Sequence, residues 1–191
     1  RDTLRCDLLR ADVQKRIPPA CFKIVMANTS NKRSGPRPVR KSPIHLPVHA
    51  SFNRPVIIFV TACTNRRKPI LCAEDTYQEI LHAWREADAW LVGRYLVMPD
   101  HVHFFCAPAK EEFPELRKWV QYWKAIASFS WPRSNEQPVW QRSFWDTQLR
   151  DGASYERRWE YVRQNPVRKG FVKTTEEWPY QGEMNKLEWF G

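Results

Sequence analysis

The sequence predicts an α+β fold, a ferredoxin-like antiparallel sheet with helices on one face, and three observations carry that expectation. The run Val56-Ile57-Ile58-Phe59-Val60-Thr61-Ala62 is continuously apolar and β-branched, the mark of a strand buried on both faces and therefore central in its sheet. Residues 91–107 form two apolar stretches joined by Pro99-Asp100, which reads as an antiparallel hairpin. Stretches with helical periodicity alternate with these strands, giving the order β-α-β-β-α-β followed by a terminal helix.

Each element has a local reason. Order is expected to begin at Pro55, and residues 65–70 turn, with Pro69 among them. From Asp75 to about Trp90 the apolar residues Tyr77, Ile80, Leu81, Trp84 and Ala87 recur at helical spacing. Strands follow at 91–98 and 101–107. A second helix is expected from about Phe113 to Phe129, with Leu116, Trp119, Val120, Trp123 and Ala127 inward and Arg117, Gln121, Lys124 and Ser128 as a polar stripe. Residues 131–138 read as a loop and Phe144–Leu149 as a short strand. A third helix runs from about Ser154 to Gln164, stopped by Asn165-Pro166.

Charge divides the chain. The net charge is +10, yet residues 1–50 hold 11 Lys/Arg against 3 Asp and the remainder is nearly balanced. Together with the Pro, Ser, Asn, Lys and Arg of residues 27–55, this predicts a basic, flexible arm over 1–54, a domain over 55–182 and a tail over 183–191. Such an arm either attracts polyanions in a salt-sensitive way or is a solubilising or untranslated leader. Met26 begins a plausible protein of its own, so residues 1–25 are read as possible upstream read-through. The five cysteines are odd in number and contain no CxxC, which fits reduced thiols. With neither a signal peptide nor a membrane-spanning run, a cytoplasmic, nucleoid-associated location is expected.

Val97-Met98-Pro99-Asp100-His101-Val102-His103-Phe104-Phe105-Cys106 is the stretch that carries chemistry. Side chains alternate along a strand, so His101 and His103 face one way with Val102 opposed. Two such imidazoles suit one divalent metal ion if further ligands come from elsewhere. On the third helix Tyr161 and Asn165 lie four apart, about 40° round the helix and one turn on, so a phenol and an amide oxygen project together. An amide oxygen is a hard ligand suited to Mg²⁺ or Mn²⁺.

These strings carry a resemblance. Met98-Pro99-Asp100-His101-Val102-His103-Phe104-Phe105-Cys106 is similar to the His-hydrophobic-His (HUH) motif of single-tyrosine nucleases. Tyr161-Val162-Arg163-Gln164-Asn165-Pro166-Val167 resembles the Tyr-x-x-x-Asn-Pro-Val signature of REP-associated tyrosine transposases, within the wider IS200-like superfamily. The segments Trp140-Gln141-Arg142-Ser143-Phe144-Trp145-Asp146 and Trp178-Pro179-Tyr180 match the same branch, and the resemblance spans about residues 52–182 in the family's order.

The resemblance implies that His101, His103 and Asn165 bind a divalent metal, Mg²⁺ or Mn²⁺, and that Tyr161 is the nucleophile. The implied reaction is transesterification of single-stranded DNA beside a hairpin-forming palindrome, leaving a 5′-phosphotyrosine and a free 3′-OH. Its partner is single-stranded hairpin DNA, with the protein acting as monomer or homodimer. A free tyrosine, with pKa ~10, is a poor nucleophile at neutral pH, and a metal supplies charge and position for the phosphate.

For DNA contact the candidates are Arg117 and Lys124 on the second helix, and Arg157, Arg158, Arg163 and Arg168 around the tyrosine helix. Arg142 joins them, flanked by Trp140 and Trp145, which offer rings for an unpaired base. A histidine-triad hydrolase is excluded by Phe105, where such an enzyme needs another histidine. A non-catalytic module binding hairpin DNA or RNA remains the alternative.

Overall fold

The structure, a computed structural model, describes residues 56–187. The arm expected over 1–54 lies outside the described residues. Five strands form one sheet: β1 (Ile58–Cys63), β2 (Trp90–Met98), β3 (His101–Pro108), β4 (Trp145–Gln148) and β5 (Gln181–Glu183). They stand in the order β4-β1-β3-β2-β5, every neighbouring pair antiparallel. The first four strands give the ferredoxin-like sheet, with β1 in its interior. Helices α1 (Glu74–Glu86) and α2 (Leu116–Phe129) connect the strands, and α3 (Gly152–Arg163) with the short α4 (Asn165–Arg168) follows the sheet's fourth strand.

Alternation along β3 assigns the two faces. Val102, Phe104 and Cys106 are fully buried towards α1 and α2, where the Phe104 ring meets Trp84, Trp119 and Trp123 at centroid distances of 5.1 to 5.9 Å. This aromatic cluster is the principal core, and truncating a ring of this kind to alanine costs ~3–5 kcal/mol. Two of its buried indoles are satisfied by backbone: Trp119 donates to the Ala87 carbonyl at 2.6 Å and Trp90 to that of Pro114 at 3.0 Å, while the Trp84 and Trp123 N–H groups have no partner among the described residues.

His101, His103 and Phe105 take the opposite face. Directly across on β1 stand Cys63, Thr61 and Phe59 respectively. Helix α3 covers one end of this second face, with the Tyr155 ring 4.5 Å and the Trp159 ring 6.3 Å from that of Phe105. The helix starts on a capping box in which the Asp151 carboxylate accepts from the Ser154 backbone N–H.

Several boundaries differ from those read in the sequence, each for a tertiary reason. Helix α1 stops at Glu86 because Trp90 opens β2, its indole stacked on Trp119. Helix α2 starts at Leu116, after Pro114. Helix α3 ends at Arg163, one residue short of the expected stop, but Asn165-Pro166 does not leave the chain in a loop. Pro166 instead occupies the first turn of α4, where its missing N–H costs nothing, and Asn165 opens that turn. Strand β5, too short for a sequence pattern, extends the sheet beyond β2, and the Asn185 side chain donates to the Val92 carbonyl at 2.8 Å. Among the described residues no helix is long and apolar enough to cross a membrane.

Candidate functional site

The two histidines are a prepared pair. Their rings stand edge to face with centroids 4.6 Å apart. Nδ1 of His101 is 2.6 Å from an Asp100 carboxylate oxygen, and Nδ1 of His103 is 2.8 Å from the Thr61 hydroxyl. With each Nδ1 engaged, each ring offers Nε2 as its remaining nitrogen, the arrangement by which outer partners fix the tautomer of metal-binding histidines. His103 also stacks on Phe59, centroids 5.4 Å apart. Burial, followed by the charges of His101, Arg67 and Arg158, holds the His103 imidazole well below its ordinary pKa, so it stays neutral and able to ligate.

Asp100 is itself anchored. Burial would raise its carboxyl, but the His101 hydrogen bond and the charges of His101 and Arg67 outweigh that and hold it below the usual carboxylate range. Arg67 Nε lies 2.7 Å from the other Asp100 oxygen, and the same guanidinium donates to Cys63 Sγ at 2.7 Å. Arg67 reaches both from a left-handed backbone, φ 58°, with Arg66 beside it at φ 56°. Two adjacent non-glycine residues in that region are uncommon and costly, and they cluster where geometry serves a site.

The donor set fits a divalent cation in part. A pair of imidazoles with oriented Nε2 atoms suits one, but among the described residues no group of three or more His, Cys, Asp or Glu stands ready to hold it.

Tyr161 and Asn165 are the residues in question. Helix α3 begins against Phe105, passes Arg158 over the Phe59 ring at 5.2 Å, and ends with Arg163 bound to Thr175 and Glu176. The chain beyond returns to β2, where Trp178 Nε1 donates to the Val97 carbonyl and the Val97 N–H donates to Tyr180. Val97 pairs with Val102, between the histidines, so the segment after α3 is anchored at the level of the histidine pair. Tyr161 is 61% exposed, its ring capped by the Arg168 guanidinium at 4.2 Å. Arg168 also donates to the Asn165 side-chain oxygen and to the Tyr161 carbonyl. Phenol and amide are thus brought together, but no hydrogen bond or ring contact among the described residues joins either to a histidine.

Tyr155, the other tyrosine of α3, is 4% exposed, and burial pushes its phenol up to about 12. Its wedged, desolvated ring makes it a core residue.

The proposed DNA contacts separate by placement. Trp145 is 53% exposed and pairs with Thr61, which pairs with His103, so its side chain stands on the histidine face two strands away, ~10 Å by strand spacing. Arg117, Arg142 and Arg157 are exposed, while Arg158 is half-buried over Phe59. Arg163 is committed to Glu160, Thr175 and Glu176, and Arg168 to Asn165 and Tyr161. Two assignments require correction. Lys124 is 6% exposed, donating to the Gln141 and Ser143 carbonyls at 3.1 and 3.3 Å, so it supports the loop before β4 and does not belong to a surface stripe. Trp140 is 8% exposed, edge-on to Trp123 and Trp131, and has no face left for a base.

Sequence reasoning missed Asp100, Thr61 and Arg67. A carboxylate immediately before the first histidine was a usable signal for Asp100. Thr61 and Arg67 come into place through strand pairing and a left-handed turn, which no local pattern announces.

No family model matches the chain. A curated relative from Escherichia coli K12, a REP-associated tyrosine transposase, is 25% identical over 125 residues, which are 64% of this chain and 72% of that protein. A Haemophilus influenzae relative bearing the same family name is 27% identical over 96 residues, 44% of this chain and about half, 53%, of its own length. The fold resembles that of a REP-associated tyrosine transposase solved bound to a REP hairpin, with a TM-score of 0.57 and 21% identity over 74% of this chain and 81% of that one. In sequence and in fold, then, this chain is similar to the REP-associated tyrosine transposases, in agreement with the resemblance its motifs carry.

Proposed function

We propose that the protein is a metal-dependent single-strand DNA endonuclease and strand transferase that cuts beside hairpin-forming palindromes through a 5′-phosphotyrosine. The observation that carries this reading is the histidine pair with both Nδ1 atoms anchored, on the sheet face against which the tyrosine helix packs through Tyr155 and Trp159.

His101 and His103 would hold a divalent metal through Nε2, with the Asn165 amide oxygen as the third protein ligand. When bound, the metal supplies Lewis acidity to a non-bridging oxygen of the scissile phosphate. Asp100 and Thr61 keep the imidazoles aimed, and Arg67 keeps Asp100 in place. Tyr161, exposed at the helix end, attacks phosphorus through its phenolic oxygen. The phosphorus–O3′ bond breaks, the phenolic proton passes to solvent, and the 3′-oxygen leaves as a hydroxyl. The phosphotyrosine preserves the bond energy, so the 3′-OH can attack back and rejoin without a nucleotide triphosphate. Trp145 offers a ring to a base of the strand, and Arg142, Arg157 and Arg158 offer charge to its phosphates.

A non-catalytic hairpin-binding module is the second reading, favoured by the engagement of the Asn165 side-chain oxygen with Arg168. The experiment that decides is incubation with labelled single-stranded hairpin DNA and Mn²⁺ or Mg²⁺. The enzyme reading expects an SDS-resistant adduct that chelation abolishes. Hairpin binding unaffected by metal, with no adduct on any hairpin, favours the module.

A further inference from the structure

We infer that Arg168 is a positioning residue that holds Asn165 away from the metal until a DNA phosphate takes the guanidinium. The inference rests on the functional reading above and concerns the control of that same site. Arg168 makes three contacts at once: it donates to the Asn165 side-chain oxygen, donates to the Tyr161 carbonyl at 2.8 Å, and lies 4.2 Å from the Tyr161 ring centre. One exposed cation therefore grips both the proposed nucleophile and the proposed third ligand.

Two charges cannot share that oxygen at little cost. A metal on the amide oxygen would stand within a few ångströms of the guanidinium, and like charges at that range repel strongly. Guanidinium bound to a neutral amide is also its weaker option, because a phosphate accepts two parallel charge-assisted bonds from the same fork. An arriving backbone phosphate thus draws Arg168 off, and Asn165 becomes free to ligate. Lys169, adjacent in sequence, and Arg157 and Arg158, on the preceding helix, add positive charge to this stretch of the chain for a strand to meet. Metal binding and strand binding are coupled positively by this exchange, and the complete centre assembles only where there is DNA to cut.

The test is Mn²⁺ titration of the full chain, followed by paramagnetic broadening of the His101 and His103 imidazole signals. This readout is separate from activity and from Mn²⁺ carried by the nucleic acid. Without DNA, Arg168→Ala should bind Mn²⁺ more tightly than the unaltered protein, by ~5–150-fold, the usual span of such couplings. Arg168→Lys, which keeps the charge but not the fork, should fall between. Adding oligothymidylate should tighten Mn²⁺ by a larger factor in the unaltered protein than in Arg168→Ala, where only the phosphate's own interaction with the ion remains. Equal or weaker Mn²⁺ binding by Arg168→Ala overturns the inference, as does an oligonucleotide effect of equal size in the two proteins or absent from both. Asn165→Ala separates the levels. If it leaves the DNA-bound affinity unchanged, the ligand assignment fails; if it weakens that affinity while Arg168→Ala alters nothing, only the control by Arg168 fails.

Discussion

The two halves of the proposed centre are built in opposite ways. The histidine half is part of the sheet: its rings sit on a central strand, each Nδ1 is bound, and the carboxylate behind His101 is held by Arg67. The tyrosine half stands at a helix junction, exposed, and is gripped by one surface arginine. The contrast teaches a division of labour. A metal site needs donors fixed to within a fraction of an ångström, which a sheet provides. A nucleophile that must take up and later release a DNA strand needs room to move, which an exposed helix end provides.

The largest effects should come from removing either half's reactive group, and they should differ in kind. His103→Ala is expected to abolish both cleavage and metal binding while sparing hairpin binding, measured by nicking and gel-shift assays. Equal loss of all three would make the histidine a core residue. Tyr161→Phe should abolish the adduct with no change in melting temperature, because the hydroxyl is solvent-facing.

A pH experiment probes the frame next to the histidine half. Burial lowers the Lys124 ammonium from 10.5 to about 8. Between those values the unfolded chain binds the extra proton, so stability should rise with pH from about 8 towards 10.5, by up to ~3 kcal/mol. Lys124→Met should flatten that rise in urea denaturation, and an undiminished rise would show that Lys124 is not its source. Smaller again, Asp100→Asn should weaken Mn²⁺ binding by ~10–100-fold through loss of the orienting carboxylate, without unfolding. An unchanged affinity would make the Asp100–His101 bond incidental. Of similar size, Trp145→Ala should cost ~1–3 kcal/mol in single-strand binding, read by fluorescence titration, at unaltered stability.

How far the sequence led depends on the range of each interaction. The continuous run at 56–62 and the hairpin about Pro99-Asp100 were legible because period and turn chemistry are local, and they led directly to β1, β2 and β3. His101 and His103 were legible as a pair through simple alternation. Lys124 and Trp140 were misread because a helical stripe does not reveal which neighbour covers it: the loop at 141–143 folds onto Lys124, and Trp123 and Trp131 enclose Trp140. In the sequence Arg168 is one basic residue among several. Its grip on Asn165 depends on the turn from α3 into the short helix α4, which no local pattern announces beyond the helix stop.

The central claim is that the exposed phenol of α3 is the group that acts with the histidine pair. Its most direct test is peptide mapping of the covalent adduct formed on single-stranded hairpin DNA with Mn²⁺. The account predicts the nucleotide on the peptide containing Tyr161, with the adduct lost in His103→Ala. A nucleotide on Tyr155 or any other residue, or an adduct that survives Tyr161→Phe, would contradict it.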